Sequence, residues 1–114
     1  MPAAQAVASG EYEVGIILGG SGQGEAMAAN RVPGVRCALF YAPAKAVEAI
    51  DAEGSQSEDD LEILRLSRQH NHANMLSLAG RFLEPDLMTR AIDVWMSTPP
   101  SQAERHQRRV DKLG

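Results

Sequence analysis

The segment from Ile17 to Asn30 combines a glycine-rich loop with a carboxylate, a pairing that suits chemistry at a carbonyl group. Its sequence is ILGGSGQGEAMAAN, in which four glycines occupy six positions and Glu25 follows at once. A strand that ends in such a loop and turns into a helix directs several backbone N–H groups at one point, where negative charge is stabilised. The loop therefore predicts a cup for an anion or a developing oxyanion, lined by the amides of residues 20–24.

Nucleotide-binding motifs fit this loop poorly. A P-loop would end in Gly-Lys-Ser or Gly-Lys-Thr, and neither follows here. A dinucleotide fingerprint starting at Gly22 would have Met27 as its third glycine, which is too bulky for close packing of helix on strand. Starting at Gly20 instead puts Glu25 there. The acidic residue expected for a ribose is also missing, because the next strand ends in Phe-Tyr-Ala at residues 40–42. A dinucleotide site is therefore a disfavoured alternative.

Glu25 by itself permits two interpretations. A carboxylate in the first turn of a helix complements the helix dipole, which contributes about 0.3 to 1 kcal/mol. The same carboxylate beside amides that stabilise an oxyanion can act as a general base, abstracting a proton next to a carbonyl group. The residues alone leave both interpretations open.

A second group of candidates lies in the C-terminal half of the chain. Arg105 and Arg109 are four residues apart and share one helical face, and guanidinium groups suit a phosphate dianion. A solvated basic face explains the same spacing. His70, at the end of a predicted helix, suits a cap, a surface position or proton transfer.

The elements that must position these residues alternate between strands and helices. Short apolar runs predict buried strands over residues 14–18, 35–42 and 75–80. Helical spacing and start signals predict helices over residues 2–9, 26–30, 44–52, 61–70, 85–97 and 101–113. This alternation predicts an α/β fold, a three-layer α/β/α Rossmann-like parallel sheet with residues 14–18 as a central strand. We expect residues 1–114 to form a single domain.

Composition and charge exclude several classes of protein. The 114 residues are 44% hydrophobic and 23% charged, which is typical of one small soluble globular domain. A net charge of −4 provides no basic field for nucleic acid or an anionic membrane. The single cysteine, Cys37, permits no internal disulfide, and no apolar run is long enough for a signal or a membrane span, so we expect a cytoplasmic location. The small core also favours self-association.

Three separated motifs together resemble the ribose-5-phosphate isomerase B and LacAB group of sugar-phosphate isomerases. These motifs are GGSGQGEAMAANRVPGVRCALFY, RQHNHANMLSLAGRFL and ERHQRRVDKL. The resemblance implies an aldose–ketose isomerase that interconverts phosphorylated sugars, foremost ribose 5-phosphate and ribulose 5-phosphate, through an enediolate and without metal or organic cofactor. It also implies a homodimer or homotetramer with each active site between two subunits, while the net charge of −4 predicts no nucleic-acid or membrane partner.

The resemblance also assigns roles to individual residues. It matches Glu25 to the catalytic base of the glutamate variety of the family, and His70 to the residue that assists opening of the sugar ring. Arg81, Arg105 and Arg109 match the arginines that bind the phosphate in the family. In the family such arginines come largely from the partner subunit. The substrate-binding residues implied are Gly20, Ser21, Gly22, Gly24, Asn30, Asn71, Arg81, Arg105 and Arg109. His72 and His106 receive no role, and Cys37 is expected in the core.

Two departures from the family pattern accompany this match. Relatives begin with a strand that carries an Asp-His pair, and this sequence begins after it, so we expect the sheet to lack the family's first strands and to have open edges. The connection from residue 42 to residue 67 is longer than in most relatives. A sugar-phosphate or nucleotide binding module without turnover is therefore the alternative function.

Overall fold

A computed structural model describes residues 1–113, and its strands form one parallel sheet. The strands are β1 (Gly15–Gly19), β2 (Cys37–Phe40) and β3 (Met75–Ala79), in the order β1-β3-β2. Both β1 and β2 pair with β3 in parallel. Parallel neighbours need a crossover, and a helix lies in each connection. The predicted parallel α/β sheet is therefore confirmed.

Helices cover both faces of this sheet. On one face, α1 (Pro2–Ala8) and α2 (Gln23–Ala29) bury a small core made of Ala4, Val7, Ala29, Val35 and Met75. On the other face, α3 (Glu62–Gln69) and α4 (Pro85–Met96) cover a larger core that includes Phe40, Leu61, Leu64, Leu76, Leu78 and Trp95. The chain continues into α5 (Glu104–Leu113). The three-layer arrangement is confirmed, and no helix within residues 1–113 has the length and apolar character needed to cross a membrane.

The central strand is β3 and not β1, so that part of the prediction was wrong. Every residue of β3 is buried, whereas partly buried and exposed residues alternate along β1. Ile16 is 40% exposed and Leu18 is 62% exposed, both at the outer edge of the sheet. An apolar run indicates a strand, but the order of strands depends on long-range pairing that hydropathy does not encode.

The predicted helix over residues 44–52 is absent, and an irregular segment occupies its place. Val47, which was expected on its inner face, is 96% exposed because no apolar surface lies beside it. The segment is held by other contacts, since the N–H of Ala46 donates to Ser57 Oγ at 3.0 Å. A helix this short needs tertiary packing of an apolar face to be stable, and here that packing is missing.

Candidate active site

The glycine loop lies at the carboxyl end of β1 and is fastened to the central strand. Ser77 Oγ, which is buried, donates a hydrogen bond of 2.7 Å to the carbonyl oxygen of Gly22. Gly22 has a φ of 71°, in the left-handed region that favours glycine. A Cβ at this position would also lie 2.8 Å from Leu39 Cδ1 and 3.1 Å from the carbonyl carbon of Leu78. The loop can therefore pack this closely on the sheet only with glycine here.

Several amides of the loop are free to bind an anion. The N–H groups of Gly20, Ser21, Gly22 and Gly24 donate no hydrogen bond to any residue within 1–113. The Ser21 hydroxyl accepts from the N–H of Gln23 at 3.3 Å, so it stabilises its own loop. Free amides held in one tight turn suit the stabilisation of negative charge that develops on a substrate oxygen.

The Glu25 side chain folds back toward the end of β1. Its carboxyl group lies over Gly19 so closely that a Cβ on Gly19 would collide with it. Glu25 is half-buried, and within residues 1–113 its carboxylate takes part in no hydrogen bond or ion pair. The carboxylate is thus held beside the free amides with its oxygens available to accept a proton.

Arg81 lies on the other side of the loop. The backbone N–H of Arg81 donates to the carbonyl oxygen of Gly20 at 2.9 Å. A Cβ on Gly20 would be 3.1 Å from Nη2 of the Arg81 side chain. The guanidinium is exposed and forms no ion pair within the described chain. Residues 19–25 together with Arg81 are called the loop corner below. It combines neutral amide donors with one acidic and one basic side chain.

A second cluster, called the histidine–arginine corner below, forms where α3 ends against α5. His70 terminates α3, and Arg105 and Arg109 lie on one side of α5. Burial lowers the pKa of His70, and the positive charges of Arg109 and Arg105 lower it further. These residues line a cavity of about 360 Å³ together with Ala49, Ile50, Asp51, Ala52 and His106. A cavity with two guanidinium groups and a neutral imidazole suits a phosphorylated ligand.

The two corners lie at opposite ends of the sheet. Arg81 follows the carboxyl end of β3, whereas His70 precedes the amino end of the same strand. A strand of five residues spans about 16 Å, and β3 has five. One chain therefore does not bring Glu25 and His70 together.

Asn30 and Asn71 lie away from the loop corner. The Asn30 amide is engaged by the backbone of Cys37, donating to its oxygen at 3.0 Å and accepting from its N–H at 2.7 Å. Asn71 lines a different cavity, of about 390 Å³, with Asn30 and Cys37 among its other walls. Asn30 thereby holds the beginning of β2, at the far end of α2 from the glycine loop. Burial raises the pKa of the Cys37 thiol to about 11, as expected for a packing residue.

Two residues of the histidine–arginine corner, His106 and Asp51, were not predicted from the sequence to belong to a site. His106 is buried against His70, with ring centroids 4.1 Å apart. One signal was available, because His106 and Val110 are four residues apart and share the inner face of α5. Asp51 gave no such signal, since only the turn made by the irregular segment carries it to the cavity. Within residues 1–113 no group of three or more His, Cys, Asp or Glu is arranged to hold a metal ion.

Comparison with known proteins relates the chain to one family. A sequence profile of the Ribose/Galactose Isomerase family matches residues 1–64 and 55–113. Ribose-5-phosphate isomerase B of Mycolicibacterium paratuberculosis is 39% identical over 100 residues, which are 88% of this chain and 52% of that protein. The corresponding protein of Mycobacterium leprae is also 39% identical over 100 residues. The chain thus spans about half the length of these curated relatives.

Solved structures of the same group superpose on the fold. Type B ribose 5-phosphate isomerase of Trypanosoma brucei has a TM-score of 0.78 at 35% identity, covering 96% of this chain and 62% of that one. Ribose-5-phosphate isomerase B of Mycoplasma genitalium, solved with bound ribulose-5-phosphate, has a TM-score of 0.74 at 31% identity. That match covers 96% of this chain and 60% of the other. The sheet and its helices therefore have the arrangement seen in these enzymes.

Proposed function

Because the chain belongs to the ribose/galactose isomerase family, we propose that it acts in the interconversion of ribose 5-phosphate and ribulose 5-phosphate. The observation that carries the proposal is the Glu25 carboxylate, folded over Gly19 beside the free amides of the glycine loop. A base and an oxyanion cup at one point are the two groups that a proton shift next to a carbonyl requires.

The reaction needs no external oxidant or reductant. Glu25 removes the proton from C2 of the open aldose, the electron pair forms a C1–C2 double bond, and the carbonyl oxygen becomes an oxyanion. The free amides of Gly20, Ser21, Gly22 and Gly24 stabilise that charge as it develops. Return of the proton from Glu25 to C1, with passage of the O2 proton to O1, gives the ketose.

The histidine–arginine corner supplies the remaining parts of the proposed site. Arg105 and Arg109 bind the phosphate, and His70 assists opening of the sugar ring. Since this corner lies at the other end of the sheet from Glu25, a complete site requires that two copies meet, with the loop corner of one facing the histidine–arginine corner of the other. The protein is accordingly proposed to work as a homodimer or a larger homo-oligomer. Its single cysteine agrees with a reducing cytoplasm.

The decisive experiment compares Glu25→Gln with Asp86→Asn. Both substitutions remove an acidic charge from the first turn of a helix, but only the first removes the proposed base. We expect E25Q to lower the isomerisation rate by about 10² to 10⁴-fold, with D86N close to wild type. The rate is measured by a coupled assay, and proton transfer alone by exchange of the C1 hydrogen of ribulose 5-phosphate in D2O. Equal rates in the two variants would leave Glu25 with its helix-dipole role only.

A second candidate is a sugar-phosphate binding module without turnover. The separation of the two corners within one chain favours it, since a single copy holds only part of the proposed machinery. Calorimetric binding of ribose 5-phosphate by wild-type protein that shows neither isomerisation nor C1 exchange would establish this alternative. Turnover by wild-type protein would exclude it.

A further inference from the structure

His106 occupies an unusual position on a helix that otherwise presents charge to solvent. Its neighbours Arg105 and Gln107 are exposed, whereas His106 is only 5% exposed. Its ring is stacked on that of His70, with the centroids 4.1 Å apart and the planes 30° from parallel. The buried ring therefore forms a flat support beneath one face of His70.

The surroundings of His106 keep its ring neutral. Its Nδ1 is buried and has no hydrogen-bond partner within residues 1–113. A protonated imidazole donates from both nitrogens, so charging this ring would bury a charged donor without an acceptor, which is costly. Burial lowers the pKa of His106, and the nearby charges of His70, Arg105, Arg109 and His72 act in the same direction.

His70 is influenced by charged groups from three elements. Arg105 and Arg109 of α5 oppose its protonation, while Asp51 of the irregular segment and Glu62 at the start of α3 favour it. Burial is the largest influence and lowers its pKa. Since His106 covers one face of the ring, it supplies part of that burial without adding charge.

We propose that His106 is a positioning residue for ring opening, a neutral buried face that fixes the ring plane of His70 and shields it from water. This inference rests on the proposed function. In the step it serves, one proton passes from the C1 hydroxyl through neutral His70 to the ring oxygen as the C1–O4 bond breaks. His70 must be neutral to accept that proton, and it must face the sugar rather than rotate freely.

The sign of the pH effect follows from the direction of the shift. A pKa below the ordinary histidine value of 6.5 keeps His70 neutral to lower pH, so ring opening is lost only as the pH falls through the lowered value. Without the support of His106, water reaches the ring and the pKa rises toward 6.5. The acid limb of the rate profile then moves to higher pH.

The test is an NMR titration of the histidine side chains in the full chain without substrate. His106→Phe keeps the flat buried face and removes the nitrogens, whereas His106→Ala removes the face. We expect the pKa of His70 to stay low in H106F and in the exposed control Arg108→Ala, and to rise toward 6.5 in H106A. If H106A does not fold, His106→Gln replaces it, because a flexible amide provides no flat face.

The titration has outcomes that overturn the proposal. A His70 titration in H106A or H106Q that matches wild type would reject the support, and a rise in H106F equal to that in H106A would assign the effect to the nitrogens. This readout needs no turnover, so it fails independently of the isomerase proposal. In an active enzyme, H106A should slow isomerisation about 10 to 100-fold while C1 exchange of ribulose 5-phosphate stays at the wild-type rate. Slowing of both together would also reject a role confined to ring opening.

Discussion

The loop corner and the histidine–arginine corner are built by different means. The loop corner is made largely of backbone, and at Gly22 the loop packs so tightly on β2 and β3 that a side chain is excluded. The histidine–arginine corner is made of side chains from α3, α5 and an irregular segment that meet around a cavity. The groups proposed to hold a developing charge are thus backbone amides of a tight turn, whereas the groups proposed to bind a phosphate are side chains of α5. In the proposed oligomer, the two sets face each other across two copies of the chain.

The strongest test of a site shared between the two corners is whether activity recovers when two inactive variants are refolded together. E25Q disables the loop corner, and Arg105→Ala with Arg109→Ala disables the other. Random refolding of an equal mixture should restore about a quarter of wild-type activity, because half of the dimers are mixed and each contains one intact site. The rate is measured after joint unfolding and refolding.

The control for that experiment pairs E25Q with Gly19→Ala, which alters the same corner. No mixed dimer then contains an intact site, so no activity should return. Recovery in the control, or no recovery in the first mixture, would contradict a site shared between two chains.

The next largest effect is expected from G19A alone. The new methyl group displaces the Glu25 carboxyl, which is the far end of a flexible side chain, so the fold should tolerate it while kcat falls about 100-fold. Gly15→Ala on the same strand is the matched control, since its Cβ meets only Val7 and Met75 side chains, at 3.1 and 3.2 Å. G15A should lower stability modestly and leave kcat unchanged. The measurements are kcat and thermal unfolding, and a normal kcat in G19A would show that the carboxylate position is unimportant.

A smaller effect, on stability, tests how tightly the loop corner packs on the sheet. Gly22 and Gly54 both have a left-handed φ, of 71° and 83°, but a Cβ on Gly54 meets nothing within 4 Å. Gly54→Ala should cost about 1 to 2 kcal/mol of unfolding free energy from backbone strain. Gly22→Ala should cost about 1 to 3 kcal/mol more, because it also overpacks the sheet. Chemical denaturation measures both, and equal values would mean that the loop corner is loosely packed.

The smallest effect is expected at Glu53, whose carboxylate lies 3.8 Å from Arg105 Nη2. Both side chains are largely exposed, so this ion pair is worth less than about 1 kcal/mol. Glu53→Gln should free Arg105 for phosphate and lower KM about twofold, with kcat unchanged. The difference should vanish at high salt. Glu58→Gln, an exposed change in the same segment, is the control, and an equal change in KM there would point to net charge alone.

Much of the fold was predictable because local signals agreed with tertiary packing. Strands near residues 14–18, 35–42 and 75–80 are all present, each predicted from an apolar run, although only β3 is buried along its whole length. The prediction of a helix over residues 44–52 was wrong because helical spacing alone does not provide an apolar surface on which Val47 can pack. The choice of β1 as the central strand was wrong because β1 and β3 are both short, mainly apolar runs, and hydropathy does not show which of them has a neighbour on each side.

For the candidate site, the local groups could be predicted from the sequence: the amides of the glycine loop, Glu25 directly after them, and two arginines one helical turn apart. These depend on neighbours within a few positions, which backbone geometry relates directly. Long-range packing places Arg81 beside the loop, His70 at the opposite end of the sheet, and His106 in a buried position beneath His70. Such relations depend on strand order and on where a helix packs, and both are set by contacts between distant parts of the chain.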